Sequence, residues 1–347
     1  MKIIVFTGSR AELFLQLPLW NTLSEEFNFE VKIIASFTNF ETKEIIVRTI
    51  EKTKLKVVKW INLSNEKDQH SFKISRVLED MNKFDVKDFN AGIVFADRYE
   101  SFGFAISLSQ RGVPLIHIEA GDLTKGGTFD DNVRHSITSL SSLFITTNNK
   151  ASKYLKNFEI GKNRIKNCGI FNNNDFFHKK SANELIRLFD INKQQFDCII
   201  VFTYHPLSNN INEQKNELKN IEIALTNLSK KYKLRIIITG VNADIGGMQV
   251  MEFLNKVSKI NASITSHETL GASNYLGLMR IGINQKILIV GNSSSIVKEV
   301  PFYKCMGVLI GKRQLGRVLG NNTLYAEAKP EKIENAITKC IENYDKR

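Results

Sequence analysis

The densest chemistry in this chain lies in one segment, His117-Ile-Glu119-Ala-Gly121-Asp122-Leu-Thr-Lys-Gly126-Gly127-Thr-Phe-Asp130-Asp131-Asn-Val-Arg134-His135. Carboxylates crowded together raise one another's pKa, which suits proton transfer near neutral pH. Asp130 or Asp131 alone reads as an N-cap for a helix over 133–140. Both together, with Glu119 and a glycine-lined loop, exceed what folding needs. His117 and Glu119 are two apart on an expected strand and so share one face. With His135 they suggest a metal site, but the spacing matches no standard ligand motif, so the reading is a site with neither metal nor cofactor. Asp97, in Ala96-Asp97-Arg98-Tyr99-Glu100, ends another expected strand, either as a helix cap or as an acid–base or orienting carboxylate.

Other segments suit an anion. Gly8-Ser-Arg10-Ala-Glu12 joins a strand to a helix, where free N–H groups and Arg10 could meet a phosphate or carboxylate. It is not G-x-G-x-x-G, which disfavours a nicotinamide dinucleotide. Thr203-Tyr-His205-Pro ends a strand in the second half, and His205 there faces the expected cleft. Gly291-Asn-Ser293-Ser294-Ser295 followed by Glu299 offers hydroxyls and N–H groups for a phosphate, and a carboxylate for a ribose diol. Gly311-Lys-Arg313-Gln-Leu-Gly-Arg317 is either a solvated turn or a clamp on diphosphate charge.

The elements that must position these residues alternate. Apolar runs at 2–7, 31–35, 56–60, 91–96, 114–118 and 143–147 are separated by helical stretches at 11–26, 41–51 and 99–111. After a polar stretch at 169–175 the rhythm restarts, with strands at 198–203, 235–239, 262–265, 286–290 and 308–310. Helices follow near 213–231, 248–259, 295–303 and 330–344. The pattern predicts an α/β protein with parallel sheets, as two Rossmann-like domains around a central cleft, 1–175 and 176–347. The last helix is left open to pack on the N-terminal domain.

With 347 residues, 42% of them apolar, both domains can bury a core. Four scattered cysteines without a CxxC exclude a disulfide framework, and the apolar run 3–6 is far too short for a secretion signal. No stretch approaches the ~20 apolar residues that span a bilayer. The expectation is a soluble cytoplasmic protein without a membrane partner. The net charge of +12 is lysine spread over the surface without interleaved aromatics, so nucleic acid is not the expected partner.

In order along the chain these motifs resemble the hydrolysing nucleotide-sugar 2-epimerases of sialic and legionaminic acid pathways. The likeness runs through Gly-Ser-Arg-Ala-Glu (8–12), Asp-Arg-Tyr-Glu (97–100), His-Ile-Glu-x-Gly (117–121) and Asp-Asp-x-x-Arg-His-x-Ile-Thr (130–138). It continues through Tyr-His-Pro (204–206), Glu-Thr-Leu-Gly-x-x-Asn-Tyr-Leu (268–276), Gly-Asn-Ser-Ser-Ser (291–295) and Arg-Gln-x-Gly-Arg (313–317). The resemblance implies a GT-B-like fold with the nucleotide held mainly by the C-terminal half. It also implies conversion of UDP-GlcNAc, or a UDP- or GDP-linked 2,4-diacetamido-6-deoxy sugar, into the free 2-epimer plus nucleoside diphosphate.

It further implies Asp97, Glu119, Asp130 and Asp131 as acid–base groups, and Arg10 and His205 near the diphosphate. Ser293, Ser294 and Glu299 become nucleotide ligands, assisted by Arg313 and Arg317. A homodimer or higher homo-oligomer is left open. Ala96 stands where the family usually has Gly, and Ala120 and Asp122 where it commonly has Gly and Glu. Glu-Ala-Gly is also the form in non-hydrolysing 2-epimerases, which remain an alternative beside a GT-B glycosyltransferase.

Overall fold

The computed structural model describes residues 1–64, 70–124, 130–158, 161–170, 180–192, 195–207, 211–240, 247–259, 262–282 and 285–346. Its contacts fall into two compact units, one of residues 1–123 and 129–173 and one carrying 174–347. The expected boundary at residue 175 lies outside the described residues.

The first unit runs β1 (Lys2–Thr7), α1 (Arg10–Glu25), β2 (Glu30–Phe37), α2 (Phe40–Ile50), β3 (Lys56–Asn62), α3 (His70–Asn82) and β4 (Ala91–Phe95). It continues with α4 (Tyr99–Gln110), β5 (Leu115–Ile118), α5 (Asp130–Leu140), β6 (Leu143–Thr146), α6 (Asn149–Lys156) and β7 (Ile165–Asn167). The strands form one sheet in the order β3-β2-β1-β4-β5-β6-β7, and every pairing is parallel.

The second unit runs α7 (Ala182–Phe189), β8 (Cys198–Thr203), α8 (Ile211–Lys231), β9 (Leu234–Thr239), α9 (Gly247–Ser258) and β10 (Ile264–His267). Then come α10 (Gly271–Ile281), β11 (Ile287–Gly291), α11 (Ser295–Lys298), β12 (Met306–Ile310), β13 (Thr323–Ala326) and α12 (Pro330–Glu342). Its parallel sheet, β10-β9-β8-β11-β12-β13, repeats the arrangement of the first. In both, the order reverses beside the first strand of the unit, and ligands of such sheets bind outside the carboxyl ends of the strands at that reversal.

The strands are apolar throughout because helices cover both faces. In β8, Cys198, Ile200 and Phe202 enter one core, while Ile199 and Val201 enter the other. The closing helix packs within the second unit: Ile333, Ala336, Ile337, Cys340 and Ile341 join the core that holds Leu218, Ile221 and Leu225 of α8.

Most sequence-predicted strands lie within a residue or two of their observed bounds. The edge strands β7 and β13, three and four residues long, are too short to have been read. The helix expected over 295–303 ends at Lys298, and a 3₁₀ turn, Val300–Phe302, follows. Pro301, which has no N–H, cannot continue the α-helical ladder. Among the described residues no helix is long and apolar enough to cross a membrane.

Candidate functional site

At the carboxyl end of the first sheet, β4 stops at Phe95 and Ala96 adopts φ 55°, in the left-handed region. Its N–H donates to the Ile118 carbonyl at 2.9 Å, and its own carbonyl accepts from His117 Nε2 at 2.8 Å. Burial pushes the His117 pKa down to about 4 despite that hydrogen bond. The ring is therefore neutral, with its proton on Nε2. Nδ1 lies 3.0 Å from the Thr138 hydroxyl oxygen, whose hydroxyl donates to the Arg134 carbonyl at 2.9 Å.

Asp97 follows. It does not cap α4, whose N-cap is Arg98 without a side-chain bond. Instead Arg134, fully buried on α5, donates to Asp97 Oδ2, to Asp131 Oδ1 at 2.5 Å and to the Asp122 carbonyl at 2.9 Å. One guanidinium thus gathers two of the expected carboxylates, and such charge-assisted bonds are the strong ones.

Glu119 sits just past β5 with φ 64° and 3% of its surface exposed. Two adjacent strands therefore both end in left-handed non-glycine residues. Each conformation costs about 1–2 kcal/mol and is of the kind found at functional sites. Glu119 lies beyond the end of β5, so the strand alternation on which a shared face with His117 was expected does not extend to it. Asp122 is buried, its Oδ1 accepting from Thr147 Oγ1 at 2.9 Å and Asn148 Nδ2 at 3.0 Å.

Asp130 and Asp131 occupy the first turn of α5, where the helix dipole favours acids. His135 is half-buried beside Tyr154, with ring centroids 5.0 Å apart. Burial lowers its pKa. The metal set of His117, Glu119 and His135 is not assembled, because both nitrogens of His117 are engaged. Among the described residues no group of three or more His, Cys, Asp or Glu could hold a metal ion.

The loop after β1 is fixed by Glu12. Ser9 caps α1 by accepting from Glu12 N at 3.2 Å, and Glu12 Oε2 accepts from Gly8 N at 2.8 Å. Its Oε1 accepts from Ser101 Oγ at 3.2 Å. Burial pushes the Glu12 pKa up to about 7, opposed by Arg98, whose Nε lies 3.8 Å away. Arg98 forks onto buried Glu100 at 3.0 and 3.1 Å. The Arg10 side chain lies outside the described residues.

Sequence reasoning gave no role to Glu12 or Arg134. Their signals were the Ser9-x-x-Glu12 capping pattern and the Asp131/Arg134 spacing of three on one helix face.

In the second unit β11 ends at Gly291, φ 138°, where a Cβ would stand 1.8 Å from the Thr203 carbonyl oxygen. Only glycine permits that approach. It brings Asn292 beside His205: His205 N donates to Asn292 Oδ1 at 2.6 Å, and Asn292 Nδ2 donates to the His205 carbonyl at 2.8 Å. Arg313 Nη1 donates to the Asn292 carbonyl at 3.4 Å.

Burial, and then the Arg313 charge, push the His205 pKa down to about 3, so its imidazole is neutral at physiological pH. The loop after β12 is braced on α8, with Lys312 2.9 Å from Glu213. Tyr204, at the end of β8, donates to Glu217 of the same helix at 2.7 Å. Arg317 is half-buried in that loop.

Ser293 Oγ accepts from Ser295 Oγ at 2.9 Å, and Tyr275 OH lies 2.7 Å from Ser295 Oγ. Ser294, half-buried, caps nothing with its side chain. Burial pushes the Glu299 pKa up to about 7. The charge of Glu299 in turn raises the phenols of Tyr275 and Tyr303, for which burial is the larger cause. The cradle expected at this helix start differs in kind, because α11 has only four residues and a correspondingly small dipole. Side-chain hydroxyls and amides, rather than a helix end, supply the polarity here.

Two parallel α/β units whose strand ends carry these groups define a class, and comparison identifies it. The sequence profile of the UDP-N-acetylglucosamine 2-epimerase family matches residues 21–347. The chain belongs to that family. A GDP/UDP-N,N'-diacetylbacillosamine 2-epimerase (hydrolyzing) of Campylobacter jejuni is 29% identical over 94% of this chain and 84% of its own. The polysialic acid biosynthesis protein P7 of Escherichia coli is 27% identical over 93% and 82%. Among solved structures, the Neisseria meningitidis UDP-GlcNAc 2-epimerase bound to UDP-GlcNAc matches with a TM-score of 0.81, 15% identity, and coverage of 99% of this chain and 92% of that one. The Methanocaldococcus jannaschii enzyme in complex with UDP-GlcNAc and UDP matches at 0.78, with 20% identity over 98% and 93%. The fold is that of these GT-B-like epimerases.

Proposed function

We propose that the protein is a hydrolysing nucleotide-sugar 2-epimerase. It takes UDP-GlcNAc, or a UDP- or GDP-linked 2,4-diacetamido-6-deoxy sugar, to the free 2-epimer and nucleoside diphosphate. The observation that carries this reading is the acidic cluster at the first unit's strand ends. Asp97 and Asp131 share one buried guanidinium, and Glu119 is held in a strained turn on the adjacent strand. The similarity to the hydrolysing C. jejuni enzyme supports the reaction type.

As the C1–O bond to the diphosphate loosens, positive charge at C1 acidifies the C2 proton. A carboxylate removes it to leave a glycal, and water adds at C1 while a proton returns to the other face of C2. Proton transfer falls to Glu119, Asp97, Asp130 and Asp131, which need placement around one ring. Asp97 and Asp131 act as oriented acceptors, since Arg134 fixes them. Arg10 and His205 lie at the diphosphate in this reading. A neutral His205 contributes a hydrogen bond there rather than a charge.

Ser293, Ser294 and Glu299 hold the nucleotide, and Arg313 and Arg317 assist by balancing the phosphate charge. Glu299, raised to about 7 by burial, is a better acceptor for a ribose diol once ionised. A cytoplasmic location belongs to the same proposal and fits four free cysteines.

The test is NMR in deuterated water with a panel of UDP- and GDP-linked 2-acetamido sugars. The expected products are free sugar deuterated at C2 and nucleoside diphosphate. Deuterated nucleotide sugar without free sugar supports the non-hydrolysing alternative instead. Absence of nucleotide release from every substrate rejects the proposal.

A further inference from the structure

We propose that His117 is a positioning residue for Asp97: by donating Nε2–H to the Ala96 carbonyl it holds Ala96 in the left-handed conformation that delivers Asp97 to Arg134. This inference rests on the reading of Asp97 as an acid–base group.

Three features of the turn support it. First, Ala96 has φ 55°, where a Cβ meets the following carbonyl, so an alanine stays there only if something holds it. Second, the bond from Ala96 N to the Ile118 carbonyl merely continues the β4–β5 pairing. The carbonyl of Ala96, by contrast, belongs to the planar peptide that carries Asp97 N. Whatever fixes that oxygen fixes the direction in which the chain leaves for Asp97.

The oxygen is fixed by His117 Nε2 at 2.8 Å. Third, the ring is itself immobilised. It has no exposed surface, and its Nδ1 is 3.0 Å from Thr138 Oγ1. Thr138 sits one turn beyond Arg134 on α5, so one helix sets both the clamp on the Ala96 peptide and the guanidinium that receives Asp97. A glycine at this position would adopt the conformation without help; alanine makes the chain depend on the clamp.

The experiment is a rescue cycle on the full-length protein. His117→Phe keeps a ring and removes the donor. The expected result is a fall in kcat of roughly tenfold, the scale of a lost left-handed preference, with KM for the nucleotide sugar within about twofold. Adding Ala96→Gly should restore most of kcat, because glycine keeps the left-handed backbone unaided. Where His117→Phe does not fold, Thr138→Val loosens the ring from its far side and should show a smaller loss with the same rescue.

Crystal structures of the variants give a readout independent of turnover. Asp97 should leave Arg134 in the single variant and return to it in the double variant. An unchanged kcat, a loss that Ala96→Gly does not restore, or Asp97 still on Arg134 without the donor overturns the inference. Wild-type protein that turns over no nucleotide sugar overturns the proposed function instead, and the crystallographic comparison then still decides the role of His117.

Discussion

At the carboxyl end of the first sheet the buried charges are matched to one another: Arg134 with Asp97 and Asp131, Arg98 with Glu100. At the same end of the second sheet, neutral groups occupy the corresponding turns. Asn292 is paired with the His205 backbone, Ser295 bridges Ser293 and Tyr275, and Arg313 is a nearby cation. In the proposed reading, the same architecture presents two surfaces with different uses. Fixed carboxylates suit the movement of protons, whereas amides, hydroxyls and a guanidinium suit the holding of an anionic nucleotide.

The largest way to break this contrast is Glu119→Gln. The first surface should then lose proton transfer, with kcat falling on the order of 10²–10⁴-fold, measured by release of nucleoside diphosphate. A loss under tenfold would move the chemistry elsewhere. Next is Arg134→Met, which strands Asp97 and Asp131 beside a buried apolar side chain. Removing one partner of a fully buried ionic pair costs about 3–5 kcal/mol; Asp97 and Asp131 keep 19% and 22% of their side-chain surface exposed, so the urea midpoint should fall, by less than that limit. An unchanged midpoint would mean that these charges are already solvated.

The smallest effect tests the buried acid at the β1 turn. Glu12 titrates near 7 when folded, against 4.5 as the ordinary value. A carboxyl raised on folding adds stability below about 4.5 that is lost as pH climbs through about 7. Glu12→Gln cannot ionise and should escape that loss. Between pH 5 and pH 8 the variant should therefore gain on the order of 1–3 kcal/mol relative to wild type, read from urea midpoints. Parallel pH profiles would contradict it.

How far this contrast was readable from the chain depends on range. The strands were legible because continuous apolar runs bounded by turns leave few alternatives; Cys198–Thr203 is an example. The carboxylates of 119–131 were legible as a group, since their density exceeds what caps require. Their partners were not. That Arg134 reaches back 37 residues to Asp97, or that Asn292 reaches the His205 backbone 87 residues earlier, follows from strand order and not from spacing. The helix at 295 was over-extended because its apolar periodicity runs on past Pro301.

The division of labour is tested most directly by calorimetric titration of UDP and GDP into wild type, Glu119→Gln and Glu299→Gln. The account predicts that Glu119→Gln binds the preferred nucleotide within about twofold of wild type. Glu299→Gln, having lost the carboxylate acceptor, should bind it at least about tenfold more weakly. Equal weakening in the two variants, or undiminished binding by Glu299→Gln, would contradict it.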